Sequence, residues 1–320
     1  MQKELNSILG GSMSIWLALL AVLPGFGLMY LVYKKDKIED EPVKLLIHLV
    51  IFGAIAGVIA GTIEAILDSI LVQEIDSDTI EYLAIEMFLI VGFAEEFCKY
   101  MVVKLNTWNN PEFDFEFDAI VYCVCAAGGF AIFENLFYVA DGGLVTALLR
   151  TVTAIPGHIM MGIVMGIWYG RAKKYDRLEK RFVSKLCRFL AVLCPMILHG
   201  IYDFLASIPG AGYYFIAYII VVYALAYISM DSKAYFDLPF MKSTAEKELD
   251  AIIHRLDANM SNNYKDNAQE NLRELEAKYK EFYEYNKLSK KREIYYEKII
   301  LDRKDKLIGF AHKDQKPYWT

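Results

Sequence analysis

The chain has 320 residues, 56% hydrophobic and 23% charged, with a formal net charge of −6, and almost all of its long apolar runs precede residue 231. That division excludes a single water-soluble core. It predicts an all-α, polytopic membrane helix bundle over residues 1–230 and a charged helical tail over 231–320. Basic residues border the apolar runs without any recognition motif, so nothing points to nucleic acid as a partner.

The first apolar run, about residues 14–33, is long for a signal-peptide core, shows no clear small-residue cleavage site and is followed at once by Lys34 and Lys35. It reads as a retained anchor. Further spans are expected near 43–72, 82–105, 118–140, 144–170, 186–207 and 212–230, each long enough for a ~30 Å hydrocarbon core, which makes about seven crossings. Two of them carry glycine at every fourth position: Gly53, Gly57 and Gly61, and Gly162, Gly166 and Gly170. Missing side chains let backbones approach closely, so this spacing reports packing and not activity. Lys34, Lys35, Lys37 and Lys44 flank the first loop, and the fifth is basic from Arg171 to Lys185. The loops at 73–78, 141–143 and 208–210 hold no Lys or Arg. Positive charge favours the cytoplasm, which places the N-terminus outside and the C-terminus inside a cell membrane crossed many times. The acidic third loop, with Glu112, Asp114 and Glu116, weighs little in that rule.

Four apolar runs contain ionisable groups, each costing ~2.5–3.5 kcal/mol near the bilayer centre unless it meets partners, water or an ion. The third span holds Glu95 and Glu96 with Lys99. The carboxylates stand about 100° apart around a helix, and Lys99 reaches either one. One reading has Lys99 neutralise one carboxylate while the other faces a cavity; an ion pair that only holds helices together explains the same residues. The fourth span adds Glu134 beside Asn135, shortly after Gly128-Gly129, where a helix or a substrate backbone can come close. Alone, Glu134 is equally well a hydrogen-bonding brace.

His158 follows Pro156-Gly157 in the expected fifth span, and His199 follows Pro195 in the sixth. An interior proline kinks a helix and frees a carbonyl, so such places admit water. Asp203 lies one turn beyond His199 on the same face, where it can orient the imidazole or ligate a metal beside it. Arg150 reads as an interfacial anchor that snorkels toward the headgroups. At ~1.5 Å per residue, Glu95 and His158 fall roughly 21 Å from the outer ends of their spans, and Glu134 and His199 about 9–12 Å. These depths allow one shared site between midplane and outer leaflet.

The five cysteines, Cys98, Cys123, Cys125, Cys187 and Cys194, lie in or beside apolar runs without zinc-ribbon spacing. They read as small packing residues and not as a disulfide framework. In the tail, Leu249, Ile252, Ile253 and Leu256 share one helical face, and Leu272, Leu275, Tyr279 and Phe282 share another, with a break at Ser261-Asn262-Asn263. A hairpin of two amphipathic helices is expected; contact with a cytoplasmic partner, self-association and simple solvation are all open for it.

Taken in order, Glu95-Glu96-x-x-Lys99, Phe133-Glu134-Asn135-Leu136-x-Tyr138, Arg150 through Pro156-Gly157-His158, and Leu198-His199-Gly200-x-Tyr202-Asp203 resemble the motifs of the PrsW family of intramembrane proteases. The pattern is more distantly similar to the prenyl-protein (CAAX-type) proteases and their bacteriocin-processing relatives, but Glu134 stands where those carry His, and Lys99 stands for a later Arg. The resemblance implies a prokaryotic membrane enzyme that cuts a single-span anti-sigma factor at an extracytoplasmic position. Peptide hydrolysis needs water, a base and stabilisation of an oxyanion. The expected catalytic set is Glu95, Glu96, Glu134, His158 and His199, supported by Lys99, Asn135 and Asp203. Glu95 or Glu96 would activate water. His158 and His199, with Glu134 as third ligand, would bind a divalent metal, zinc by donor chemistry, or the imidazoles would donate hydrogen bonds directly. No His-Glu-x-x-His motif is present. The expected partners are a membrane-anchored protein substrate and the lipid bilayer. Two other classes use the same residues: a proton-coupled transporter, although no internal repeat accompanies it, and a non-catalytic membrane scaffold.

Overall fold

The computed structural model describes residues 15–36, 41–235, 244–285, 288 and 290–313; Ser14 and Lys37, expected in the first span and first loop, lie outside them. Contacts divide the chain into two units, Met1–Trp108 with Phe115–Leu238, and Asn109–Asp114 with Pro239–Thr320. Nearly all regular structure among the described residues is helical.

In the first unit, α1 (Ile15–Tyr33) and α2 (Val43–Glu74) precede a broken third helix: α3 (Ile80–Ile85), a π-helical stretch (Glu86–Gly92) and α4 (Phe93–Thr107). Then come α5 (Asp118–Val152), α6 (Ala154–Arg177), α7 (Arg181–Ser207) and α8 (Gly212–Tyr235). Five helices are long and apolar enough to cross a membrane, with 118–177 counted as one run. Read as two antiparallel passes, that run brings the number to six, and of the seven expected spans only the third falls short. The third span is interrupted by the π-helical stretch and loaded with Glu86, Glu95, Glu96, Lys99 and Lys104, so neither half is long and apolar on its own. The loop expected at 141–143 coincides with a break within α5, where Gly143 leaves helical geometry at φ 70°. That backbone conformation is open to glycine at little cost.

The chain turns back at that glycine: Arg150 beyond it meets Glu134 and Asn135 before it, and Thr153 is only a break in the returning helix, with its N–H bonded to the Leu149 carbonyl and its carbonyl to the Gly157 N–H. Along α6, Gly162, Gly166 and Gly170 face in turn Ala127, Ile120 and Glu116 of the preceding helix and loop, an antiparallel arrangement. The fifth span thus begins near Leu144, as expected, and is broken at Thr153 before α6. Pro156 falls in the first turn of α6, three residues after the break at Thr153, where its missing N–H has no helical partner to lose. Pro195 lies inside α7, as expected.

Backbone contact draws the bundle together. A Cβ on Gly53 would overlap the Ala126 carbonyl, and one on Gly129 would overlap the Val50 carbonyl, so α2 and α5 touch without intervening side chains. Gly61, third in the expected stripe, meets nothing within 4 Å. The buried core includes Ile120, Tyr122, Phe130, Ile155, Ile159 and Ile163, whereas Ile51, Ile55, Ile220 and Leu225 face outward. Apolar side chains on the outside suit lipid and not water. All five cysteines are free.

The second unit contains α9 (Thr244–Ser261), α10 (Lys265–Glu284) and α11 (Lys290–Lys313). The first two form the expected hairpin, turning through Asn262 and Asn263, the latter at φ 63°, a conformation asparagine tolerates better than most residues. Their apolar faces meet around Leu249, Leu256, Leu272 and Leu275. The third helix completes this core with Tyr296 and Ile300, and its Arg303 grips Asp257 at 2.7 and 3.0 Å.

Candidate active site

The site begins with two glycines. The π-helical stretch ends at Gly92, where a Cβ would come within 3.1 Å of the Met196 carbonyl; a Cβ on Gly200 would press on the Phe88 ring. These bare positions let α4 and α7 close on each other just before Glu95 and just after His199. A π-helical stretch also shifts the register of the side chains that follow it. His199 Nδ1 consequently lies 2.9 Å from Glu96 Oε1, and Glu96 is fully buried.

Lys99 takes both carboxylates, not one. Its ammonium donates to Glu95 Oε2 at 2.9 Å and to Glu96 Oε1 at 2.8 Å, stands 3.0 Å from His158 Nδ1, and lies 4.0 Å from the centre of the Phe130 ring. Glu95 faces an open cavity and Glu96 does not. Helix periodicity explains the division, since neighbours on a helix point about 100° apart.

Each imidazole has a carboxylate beside the nitrogen that faces away from the Glu95/Glu96 pair. His158 Nε2 is 2.7 Å from Glu134 Oε2, and His199 Nε2 is 3.2 Å from Asp203 Oδ2. The two rings meet edge to face, with centroids 5.2 Å apart. Behind His158, Glu134 is paired with the Arg150 guanidinium at 3.0 Å. Arg150 also donates to Asn135 Oδ1 at 2.8 Å and stacks 3.9 Å from the centre of Tyr138. Asn135 in turn donates to the Ala21 carbonyl of α1 at 3.0 Å. The expected snorkelling of Arg150 is therefore wrong. The bend at Gly143 brings Arg150 back beside Glu134, where a carboxylate, an amide and an aromatic face compensate its charge within the fold.

A cavity of about 470 Å³ opens beside these groups, lined by Glu95, Glu134, His158, His199 and Asp203 among others. Two further carboxylates, Glu64 of α2 and Glu86 of the π-helical stretch, line it as well. Neither was singled out from sequence. Glu64 carried the same signal as Glu134, a lone carboxylate deep in an apolar run (Gly61-Thr62-Ile63-Glu64-Ala65-Ile66-Leu67). Its Oε1 is buried without a hydrogen-bond partner.

One donor atom from each of Glu95, Glu96, His158 and His199 lies within 4.8 Å of the others. Two imidazoles and two carboxylates suit a divalent ion, zinc included. A carboxylate on the far nitrogen of each ring, Glu134 behind His158 and Asp203 behind His199, is the outer arrangement that ligating histidines usually have. Glu134, expected as a third ligand, stands in that outer position and the Glu95/Glu96 pair stands with the histidines. The Lys99 ammonium now sits among Glu95, Glu96 and His158, so an ion among these donors requires it to move aside.

A family profile described as "PrsW family intramembrane metalloprotease" matches residues 41–228. The chain is 34% identical over 186 residues to Protease PrsW of Oceanobacillus iheyensis, covering 58% of this chain and 80% of that one. It is 30% identical to Protease PrsW of Geobacillus kaustophilus, covering 60% and 81%, and 30% identical to that of Clostridioides difficile, covering 70% and 96%. No solved structure matches.

Proposed function

Because the chain belongs to the PrsW family of intramembrane metalloproteases, we propose that it hydrolyses a peptide bond of a membrane-anchored protein in the cavity beside Glu95, with a single-span anti-sigma factor as the substrate class. The observation that carries this reading is the meeting of Glu95, Glu96, His158 and His199, drawn from three helices, within 4.8 Å of one another. A bracing role alone would leave such groups in separate pairs. Here they share one cluster at the edge of a cavity.

Glu95 is the base in this reading, since it is the member of the pair that faces the cavity. It takes a proton from water and returns it to the leaving amine. Glu96 stays buried and holds Lys99 and His199 in place. Asp203 and Glu134 fix the orientation of the two rings, so that the opposite nitrogen of each points toward the Glu95/Glu96 pair. The Lys99 ammonium offers a positive charge to the developing oxyanion. With Lys99 moved aside, His158, His199 and Glu96 would instead hold a divalent ion, zinc by donor chemistry, which would polarise a carbonyl and lower the pKa of its water.

The basic segment from Arg171 to Lys185 and the pair Lys34-Lys35 support a cytoplasmic face, hence an outside N-terminus and a cytoplasmic tail. The reading keeps residues 1–230 as the protease-like domain and 231–320 as a separate cytoplasmic appendage. Co-expression with a membrane-anchored reporter tests the activity. Wild type should release a defined fragment, and Glu95→Gln, Glu96→Gln and His199→Ala should not; intact cleavage in all three variants would leave the transporter or scaffold reading. Metal analysis of purified protein should find a stoichiometric ion that is lost in His158→Ala and His199→Ala.

A further inference from the structure

A second cavity, about 380 Å³, lies between α4 and α7. Phe93, Phe97, Tyr100 and Lys104 of α4 line it at steps of four, three and four residues, so they form one helical face. From α7 it is lined by Lys185, Arg188, Leu193 and Met196. The cations Lys104, Lys185 and Arg188 gather at one end. From there the apolar lining continues to Phe93 and Met196, eleven residues along each helix, or ~16 Å at 1.5 Å per residue.

The charge at that end is uncompensated. Among the described residues, none of the three cations is ion-paired with a carboxylate, and no acidic residue lines the furrow. Arg188 lies 4.9 Å from the centre of the Trp108 ring, and its Nε is buried without a hydrogen-bond partner. Lys104 lies over Tyr100 at 6.0 Å. In a chain with five helices fit to cross a membrane, three clustered cations at the head of an apolar furrow are complementary to one ligand chemistry. Basic pockets between membrane helices take anionic headgroups.

We propose that the α4–α7 furrow binds an anionic phospholipid, its phosphate on Lys104, Lys185 and Arg188 and one acyl chain along Phe93, Phe97, Leu193 and Met196. A free phosphate would use the cations and leave the furrow empty, so the apolar lining favours the lipid. The site does not depend on the protease reading. It does bear on it, because the same two helices carry Glu96 and His199, and a lipid seated between them braces that contact.

Native mass spectrometry of the full-length chain in detergent, titrated with phosphatidylglycerol, phosphatidylcholine or inorganic phosphate, tests the proposal. Phosphatidylglycerol should give a saturable adduct at a concentration about tenfold or more below that of phosphatidylcholine, and inorganic phosphate should give none. The triple variant Lys104→Gln/Lys185→Gln/Arg188→Gln should lose the preference. Leu193→Trp, which fills the furrow and leaves the cations intact, should lose the adduct, and Lys180→Gln/Arg181→Gln, basic positions outside the furrow, should keep it. Equal binding of the two lipids by wild type overturns the proposal, whether or not the triple variant folds. So does retention of the preference in the triple variant, equal loss in the Lys180/Arg181 control, or a phosphate adduct that survives Leu193→Trp.

Discussion

Replacing Arg150 by methionine separates an inward brace from a surface anchor. Arg150 makes a charge-assisted hydrogen bond to Asn135 at 2.8 Å, pairs with Glu134 at 3.0 Å, and stacks on Tyr138. Such bonds contribute ~1.5–3 kcal/mol each. The pair keeps 17% and 22% of its side-chain surface exposed, so part of this is screened. Arg150→Met should therefore cost about 2–4 kcal/mol, most of it the penalty of leaving the Glu134 carboxylate unpaired in an apolar setting. Arg150→Lys keeps the charge but not the fork or the planar stack, and should cost about half as much. The functional effect runs through Glu134 to His158: a loosened ring should lower reporter cleavage by about 10–100-fold. Thermal unfolding in detergent and the cleavage rate per folded molecule measure the two effects. A variant with unchanged melting and at least half the wild-type rate would show that Arg150 merely rests at the interface.

Other expectations follow from single contacts. Gly53→Val should reduce folded yield sharply, because its Cβ would overlap the Ala126 carbonyl and forced packing of this kind costs ~1–3 kcal/mol or more; Gly61→Ala, with nothing within 4 Å, should behave as wild type in the same size-exclusion assay. Outside the spanning helices, burial alone would raise the Glu116 pKa, but hydrogen bonds from Lys174 at 2.5 Å and Lys233 at 2.6 Å outweigh it and hold the carboxyl below its ordinary value of 4.5. A depressed folded pKa stabilises above the ordinary value, and that contribution is lost as pH falls from about 4.5 through the lower folded value. Melting temperatures from pH 6 downward should thus converge for wild type and Glu116→Gln, and a gap that persists at the acid end would contradict this. In the second unit, Leu275→Ala removes a fully buried side chain at ~2–5 kcal/mol, and limited proteolysis of the full chain should then cut first within 244–313.

Much of the site was legible because lipid makes charge conspicuous. Glu95, Glu96, Lys99, Glu134, His158 and His199 each interrupt an apolar run, and the structure brings all six together. The hydrophobic faces of α9 and α10 were equally plain from their spacing. What escaped notice depends on backbone events that hydropathy does not report. The turn at Gly143 folded residues 144–152 back along α5 and so brought Arg150 inward. The π-helical stretch divided the third span. Glu64 and Glu86 were passed over because nothing in sequence assigned them neighbours, although only the fold decides which face of α2 meets the cavity. The third tail helix, whose apolar residues are spread around more of its circumference, gave a weaker pattern than the two it packs against.

The most direct test of the central claim is the origin of the oxygen in the product. The purified full-length chain in proteoliposomes, given a membrane-anchored substrate in ¹⁸O-labelled water, should place one labelled oxygen in the new carboxyl terminus, and Glu95→Gln should yield neither fragment nor label. A fragment that forms at the wild-type rate in Glu95→Gln, or one that carries no label, would mean that water activated beside Glu95 does not cut the peptide.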